Sequence, residues 1–349
     1  MPTTVKAFGA FGADEKLVPL EITRRDVGEN DVAIAIRYAG ICHSDIHTIR
    51  GEWGEIAYPQ VVGHEIVGEV TAVGSAVTGH AVGDRVGVGC MVGSCGECDY
   101  CRAGDEHYCE KGNIGTYAAK DVDGTITQGG YSTDVVVDAG FVLKVPESIP
   151  YDKAAPLLCA GITTYSPLAR WGAGPGKRVA VVGMGGLGHM AVKIAVAMGA
   201  EVTVLSRSDA KKDDALAFGA VAHVATGQEG ALQALANSFD LVISTLSVPF
   251  DIDAYLATLR PHGALVNVGM PPEALEIHAG SVVMGGKSFS GSNIGSIRET
   301  QEMLDFCAEH GIAPETELIA ASQINDAYER TVAGDVRYRF VIDTATLAA

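Results

Sequence analysis

Basic residues are scarce in this chain, with 25 Lys and Arg against 43 Asp and Glu and a formal net charge of -18. Nucleic acid and anionic lipid are usually approached with clustered cations, so neither is expected as a partner. Aromatics make up only 6% of residues, and 19% charged beside 47% hydrophobic residues excludes a disordered chain. No apolar run approaches the length of a bilayer span, and Met1-Pro2-Thr3-Thr4 lacks the basic-then-apolar order of a signal peptide. A cytoplasmic location is expected. Internal repeats and low-complexity linkers are missing too. Glycine is abundant, at 43 of 349 residues, and suggests a turn-rich α/β or α+β protein with close backbone packing.

That length favours two domains. Residues 1 to about 150 show short β segments, such as Val32-Ala33-Ile34-Ala35-Ile36 and Ile66-Val67-Gly68-Glu69-Val70, between Gly and Asp turns. From Lys177 onward, apolar runs (Arg178 to Val182, Glu201 to Leu205, Phe239 to Ser244, Gly263 to Val268) alternate with Ala-rich stretches of helical character. The alternation predicts an α/β doubly wound parallel sheet. After Ser296 an amphipathic helix carrying Ile297, Met303, Leu304, Phe306 and Cys307 leads to a last strand, Tyr338 to Val341, which need not join that sheet. Pro146 to Pro150 has the composition of a hinge.

Four of the eight cysteines cluster as C-x2-C-x2-C-x7-C: Cys95, Cys98, Cys101 and Cys109. Such short loops suit a tetrahedral Zn²⁺ held by four thiolates, with Gly93, Gly96 and Gly104 letting the chain turn its amides toward the sulfurs. An iron-sulfur cluster is the alternative, though ferredoxin spacings differ in their later intervals. A site of this kind is closed and contributes to architecture rather than turnover. A catalytic zinc needs three protein ligands and an open fourth position, for which Cys2His is one set. Cys42, His64 and Cys159 are candidates of the right type, but spacing alone does not join them.

Gly183-Met184-Gly185-Gly186-Leu187-Gly188 follows the apolar run Val179 to Val182 and precedes an Ala-rich stretch. G-x-G-x-x-G in that context predicts a dinucleotide pyrophosphate at a helix N-terminus. At the end of the next strand the acid that would hold a ribose 2′-hydroxyl is missing. Leu205-Ser206-Arg207-Ser208-Asp209-Ala210-Lys211-Lys212 stands there instead. Hydroxyls and cations in place of the acid favour a 2′-phosphate, hence NADP(H), with Ser206, Arg207, Ser208 and Lys211 as its cradle. Asp209 is expected to cap the following helix.

The segments Gly40-Ile41-Cys42-His43-Ser44-Asp45, Gly63-His64-Glu65-Ile66-Val67-Gly68 and Cys159-Ala160-Gly161-Ile162-Thr163-Thr164-Tyr165, with the cysteine lobe and the glycine loop, resemble the zinc-dependent medium-chain dehydrogenase/reductase family. They are most similar to its cinnamyl-alcohol-dehydrogenase-like branch, and the likeness extends to Val336-Arg337-Tyr338-Arg339-Phe340-Val341. The resemblance implies a GroES-like, mostly β catalytic domain carrying both zinc sites (residues 1–150), a Rossmann NADP-binding domain (151–293), and a return to the first domain (294–349). It implies NADP(H)-linked interconversion of primary alcohols with aromatic or medium-chain aldehydes, in the cleft between the domains. A homodimer joined through the Rossmann sheets is implied as well.

By the same resemblance Cys42, His64 and Cys159 ligate the catalytic zinc, giving two Zn²⁺ per chain. Asp45 accepts the second ring proton of His64. Glu65 is either a transient further ligand or a structural carboxylate paired to a buried Arg. Reduction of an aldehyde leaves an alkoxide that must gain a proton, and Ser44 followed by His47 is the implied relay. Trp53, Cys90, Met91, Tyr117 and Ile294 are candidates for an apolar substrate pocket. Thr163, Thr245, Val268, Gly269, Ser290, Ser292 and Arg339 join the glycine loop as implied cofactor contacts. A polyol or sugar dehydrogenase of the same fold, and a zinc-stabilised NADP(H) sensor without turnover, are the alternatives.

Overall fold

The structure is a computed structural model that describes residues 2–348; Met1 and Ala349 lie outside it. Two compact units emerge: the chain through Cys159 together with the chain from Ser296, and Ala160–Gly295. The changes of unit therefore fall at 159/160 and 295/296, where the sequence suggested 150/151 and 293/294. Pro146 to Pro150 lies inside the first unit rather than at its edge.

The first unit is organised on the strand Asp31–Gly40, which pairs antiparallel with Ile66–Val73, Asp134–Asp138 and Arg339–Asp343. Its alternating sequence sends Val32, Ile34 and Ile36 into one core with Ile66, Val70, Val86, Val88, Val135 and Val137. Each such side chain removed from water contributes roughly 1.5–3 kcal/mol. Farther along, Ala39 and Ile41 enter a second core with Ile46, Ile49, Tyr131, Phe340 and Ile342. The same strand thus fastens both cores and runs directly into Cys42. The late strand Arg339–Asp343 lies beside it, with Val341 opposite Gly40, so the tail belongs to this sheet.

The second unit has six strands: β1 (Arg178–Val182), β2 (Glu201–Ser206), β3 (Ala222–Ala225), β4 (Phe239–Ser244), β5 (Leu259–Asn267) and β6 (Ser288–Gly291). They are parallel throughout and ordered β3-β2-β1-β4-β5-β6, the doubly wound dinucleotide-binding order. Val179, Ala180, Val181 and Val182 are all buried, as expected for a strand covered on both faces. Helix α1 (Gly188–Ala197) follows β1 and buries Met190, Ala191, Val192, Ile194 and Ala195. No helix among the described residues is long and apolar enough to cross a membrane.

Candidate catalytic, metal and cofactor sites

Cys42 sits at the junction of the Asp31–Gly40 strand and the helix His43–Ile49. Its amide donates to Asp45 Oδ2 at 2.8 Å, which holds the turn. Asp45 has no exposed surface and also accepts from the Gly63 amide at 3.2 Å and the Tyr131 hydroxyl at 3.0 Å. Burial pushes the Tyr131 phenol well above its ordinary range, so it stays a donor. Asp45 Oδ1 lies 2.9 Å from His64 Nδ1, and Tyr117 Oη lies 3.0 Å from the same nitrogen. That engagement fixes the ring and leaves Nε2 for a metal. Gly63 enables the approach: its φ is +109°, and a Cβ there would meet the Tyr131 ring at 2.6 Å.

Cys159 follows the short 3-10 helix Ala155–Leu158 and brings its sulfur to 3.9 Å from that of Cys42. Two thiolates at about 2.3 Å on a tetrahedral zinc stand roughly 3.8 Å apart, so the pair fits the ion. Ligand atoms of Cys42, His64, Glu65 and Cys159 all lie within 4.8 Å of one another. The hydrogen bond between the sulfurs pulls the Cys42 thiol well below its ordinary range and pushes Cys159 well above it. A dication between them favours both as thiolates. Glu65 does not stand alone, because its Oε1 pairs with Arg339 Nη2. Burial pushes its carboxyl up to about 7 against the pull of that guanidinium.

In the lobe, Cys98 and Cys101 amides donate to Cys95 and Cys98 sulfurs at 3.4 and 3.5 Å, and the Cys95 amide to Cys109 at 3.5 Å. Amide bonds from Cys101 and Glu110 lower the Cys98 thiol to about 6. Cys95 and Cys101 sulfurs stand 3.9 Å apart, again a zinc-sized edge. Gly96 and Gly104 adopt the expected positive φ of 70° and 77°. Gly93 does not; a Cβ there would meet Ile114 at 2.8 Å, so close packing explains it. Asp105, His107 and Glu299 also converge, but Glu299 is committed to the reciprocal Ser296 cap of helix Ile297–Glu309.

Ser44 Oγ is 3.6 Å from the Cys42 sulfur. His47 pairs through Nδ1 with Glu52 and stacks on Trp53 at 5.0 Å between centroids, contacts that the sequence did not suggest. Among the expected pocket residues, Trp53 is 47% exposed and Met91 only 2%, and Cys90 reaches the Leu158 carbonyl at 3.8 Å. Ile294 lies in the second unit with a φ of +39°.

Three glycines of the β1 loop differ in their surroundings. Gly183 has a φ of +90° and packs so close to Thr245 that a Cβ would come within 2.6 Å of its hydroxyl. A Cβ on Gly188 would overlap the Gly183 carbonyl, whereas at Gly185 it would meet nothing. The open middle position is the one a pyrophosphate approaches. Gly186 and Leu187 complete the turn into α1. Thr245 Oγ1 donates to the Val182 carbonyl at 2.9 Å, the Val268 amide to Ser244 at 2.9 Å, and the Ser292 amide to Asn267 at 3.3 Å. Gly269 is pressed on the Leu246 backbone, Ser290 donates to the Gly291 carbonyl at 3.2 Å, and Thr163 is 7% exposed. Arg339 lies in the first unit, 5% exposed, on Glu65.

At the end of β2 Arg207 and Ser208 are exposed, and Lys211 Nζ donates to the Met184 carbonyl of the glycine loop at 2.8 Å. Ser206 Oγ contacts His223 Nε2 at 2.7 Å, a partner that the sequence did not point to. Asp209 does not cap a helix with its side chain. It opens a 3-10 turn, Asp209–Lys211, and its Oδ1 lies 3.4 Å from His223 Nδ1, because strand pairing brings β3 alongside.

Residues 28–147 match the model of the alcohol dehydrogenase GroES-like domain, and residues 186–309 that of the zinc-binding dehydrogenases. The chain is 58% identical over 346 residues to an NADP-dependent alcohol dehydrogenase C of Mycolicibacterium smegmatis, with 99% of each chain covered. It is similar to a cinnamyl alcohol dehydrogenase of Sorghum bicolor, with a TM-score of 0.96, 45% identity and 98% of each chain covered. A cinnamyl alcohol dehydrogenase of Helicobacter pylori, solved with NADP(H), gives a TM-score of 0.93 at 43% identity and 99% coverage of each. With that donor set, that loop and these likenesses, the chain belongs to the cinnamyl-alcohol-dehydrogenase-like branch of the zinc-dependent medium-chain dehydrogenase/reductase family.

Proposed function

We propose that this chain interconverts primary alcohols and aldehydes, aromatic or medium-chain aliphatic, with NADP(H) as hydride partner. The observation that carries the reading is the meeting of Cys42, His64 and Cys159, with Asp45 behind the histidine. Cys42, His64 and Cys159 would hold a zinc that would supply a Lewis acid for the carbonyl oxygen, and NADPH bound at the glycine loop would supply the hydride. Asp45 keeps His64 in the tautomer that presents Nε2. Ser44 gives its hydroxyl proton to the product oxygen, and His47 restores it from solvent while Glu52 holds the Nδ1 edge of the ring. Cys95, Cys98, Cys101 and Cys109 hold the second zinc and stiffen their lobe.

The first unit is assigned the chemistry and both metals, the second the cofactor. The glycine loop receives the pyrophosphate, and Ser206, Arg207, Ser208 and Lys211 receive the 2′-phosphate. A homodimer through the β6 edge is supported by the exposed Phe289 on that strand and by Val283 and Met284 just before it, 72% and 88% exposed. Cytoplasmic residence is supported by the eight free cysteines found among the described residues.

The test is reduction of an aldehyde panel, starting with benzaldehyde, with NADPH and NADH in parallel. Turnover of primary aldehydes with NADPH preferred is expected. A preference for secondary polyols would favour the polyol dehydrogenase reading. Zinc-loaded protein that binds NADPH and turns over no carbonyl would leave a sensor.

A further inference from the structure

His223 stands on β3 with its side chain fully out of solvent, although the strand next to it ends in the exposed residues of the phosphate cradle. Its ring is not an inert filler. Nε2 lies 2.7 Å from Ser206 Oγ, and Nδ1 faces Asp209 Oδ1 at 3.4 Å. The Ser206 backbone is already held, since its carbonyl accepts the Thr226 amide at 2.8 Å. Only the hydroxyl remains to be oriented.

That hydroxyl has one proton, and it donates to the Ser208 carbonyl at 2.9 Å. With that proton on the Ser208 carbonyl, the short contact with Oγ is made by the tautomer that carries its proton on Nε2, and Nδ1 makes no hydrogen bond. A hydroxyl that accepts from a buried ring on its inner side has its proton directed away from that ring. Replacing the Ser208 carbonyl by a phosphate oxygen needs only rotation about the Cβ–Oγ bond, and the inner bond survives it.

We infer that His223 is a positioning residue for cofactor choice: it commits Ser206 to donate outward, toward the acceptor-only oxygens of a 2′-phosphate. This rests on the NADP(H) reading of the β2 terminus given above. A ribose 2′-hydroxyl gains less, because it has a proton of its own to place and carries no charge.

The test uses the zinc-loaded enzyme and one aldehyde, with kcat and KM measured for NADPH and NADH. His223→Val removes the donor, and His223→Gln returns an N–H near the position of Nε2. The valine variant is expected to raise KM for NADPH roughly three- to tenfold, the factor one neutral hydrogen bond supplies. Its kcat and its NADH constants should stay at the parental level, and glutamine should restore KM. If the valine protein is insoluble, His223→Leu, closer in volume, carries the same comparison. An unchanged cofactor ratio, a parallel rise in both KM values, or a glutamine variant no better than valine overturns the inference. Ser206→Ala separates the two levels: if it lowers NADPH preference while His223→Val does not, only the role of His223 falls. If Ser206→Ala and Arg207→Ala both leave the ratio unchanged, the phosphate cradle itself is wrong.

Discussion

Arg339 and Glu65 form an ion pair with side chains only 5% and 0% exposed, joining the last strand of the first unit to the residue after His64. Removing one partner of a buried pair leaves an uncompensated charge, at a cost of about 3–5 kcal/mol. Arg339→Met and Glu65→Leu should each lower the denaturant midpoint strongly. The double variant should lose much less than the sum of the two, and simple additivity would show that the residues are not coupled.

The two zinc sites should fail differently. Cys159→Ser is expected to remove one metal equivalent and all turnover while the fold persists. Cys98→Ser should lower the thermal midpoint and solubility, since its site is closed around four sulfurs. Metal analysis beside activity decides, and active enzyme that holds zinc only in the cysteine lobe would contradict the mechanism.

His47→Gln should slow turnover by roughly a hundredfold and change its pH profile. Zinc content should not change. Glu52→Gln, which loosens the ring without removing it, should give a smaller loss in kcat with KM for the aldehyde unaltered. Loss of zinc in either variant would make the pair structural.

Each charge-assisted bond to the 2′-phosphate is worth roughly 1.5–3 kcal/mol, so two of them discriminate NADP from NAD by on the order of a hundredfold or more. Ser206→Asp combined with Arg207→Ile repels the phosphate and offers the 2′-hydroxyl an acceptor. The kcat/KM ratio of the two cofactors should move toward NADH. A parent that already prefers NADH would return these residues to the role of a solvated basic face.

In the second unit, Asp240 accepts the Arg178 amide and the Arg260 guanidinium, both at 2.9 Å. Against the opposing effect of burial, these bonds hold its carboxyl below the ordinary value of 3.8. A depressed carboxyl contributes stability above its unfolded value, and that stability fades as pH falls through the folded one. Asp240→Asn should therefore melt earlier than the parent near neutrality, with the gap closing in acid. A gap that stays constant down to about pH 2.5 would remove the carboxylate from the account.

Local signals were legible. The four-cysteine spacing and the glycine loop are contiguous, and the apolar runs of the second unit appear as β1, β2, β4 and β5, with β5 starting at Leu259 rather than Gly263. Cys42, His64 and Cys159 were joined only by resemblance, because their meeting depends on how strands and a 3-10 turn pack. Glu65 had two readings, and the structure shows its arginine. Asp209 looked like a helix cap because nothing in the sequence reveals that β3 brings His223 beside it. Tyr131 and Glu52 escaped for the same reason: one reaches Asp45 from a distant loop and the other closes on His47 after a turn.

The pairing of Val341 with Gly40 has a consequence for biosynthesis. A growing chain emerges amino end first, and domains fold as units when their residues become available. Ala160–Gly295 is continuous and can fold while translation proceeds, whereas the sheet around Asp31–Gly40 lacks one strand until residues beyond that unit are made. Until then the Tyr38–Gly40 end of that flank is unpaired, beside the stretch already covered by Asp134–Asp138, and open to other chains. Arg339, the partner of Glu65, arrives on the same late strand. Maturation of the catalytic centre is thereby tied to synthesis of residues 339–343, which follow the whole of the second unit.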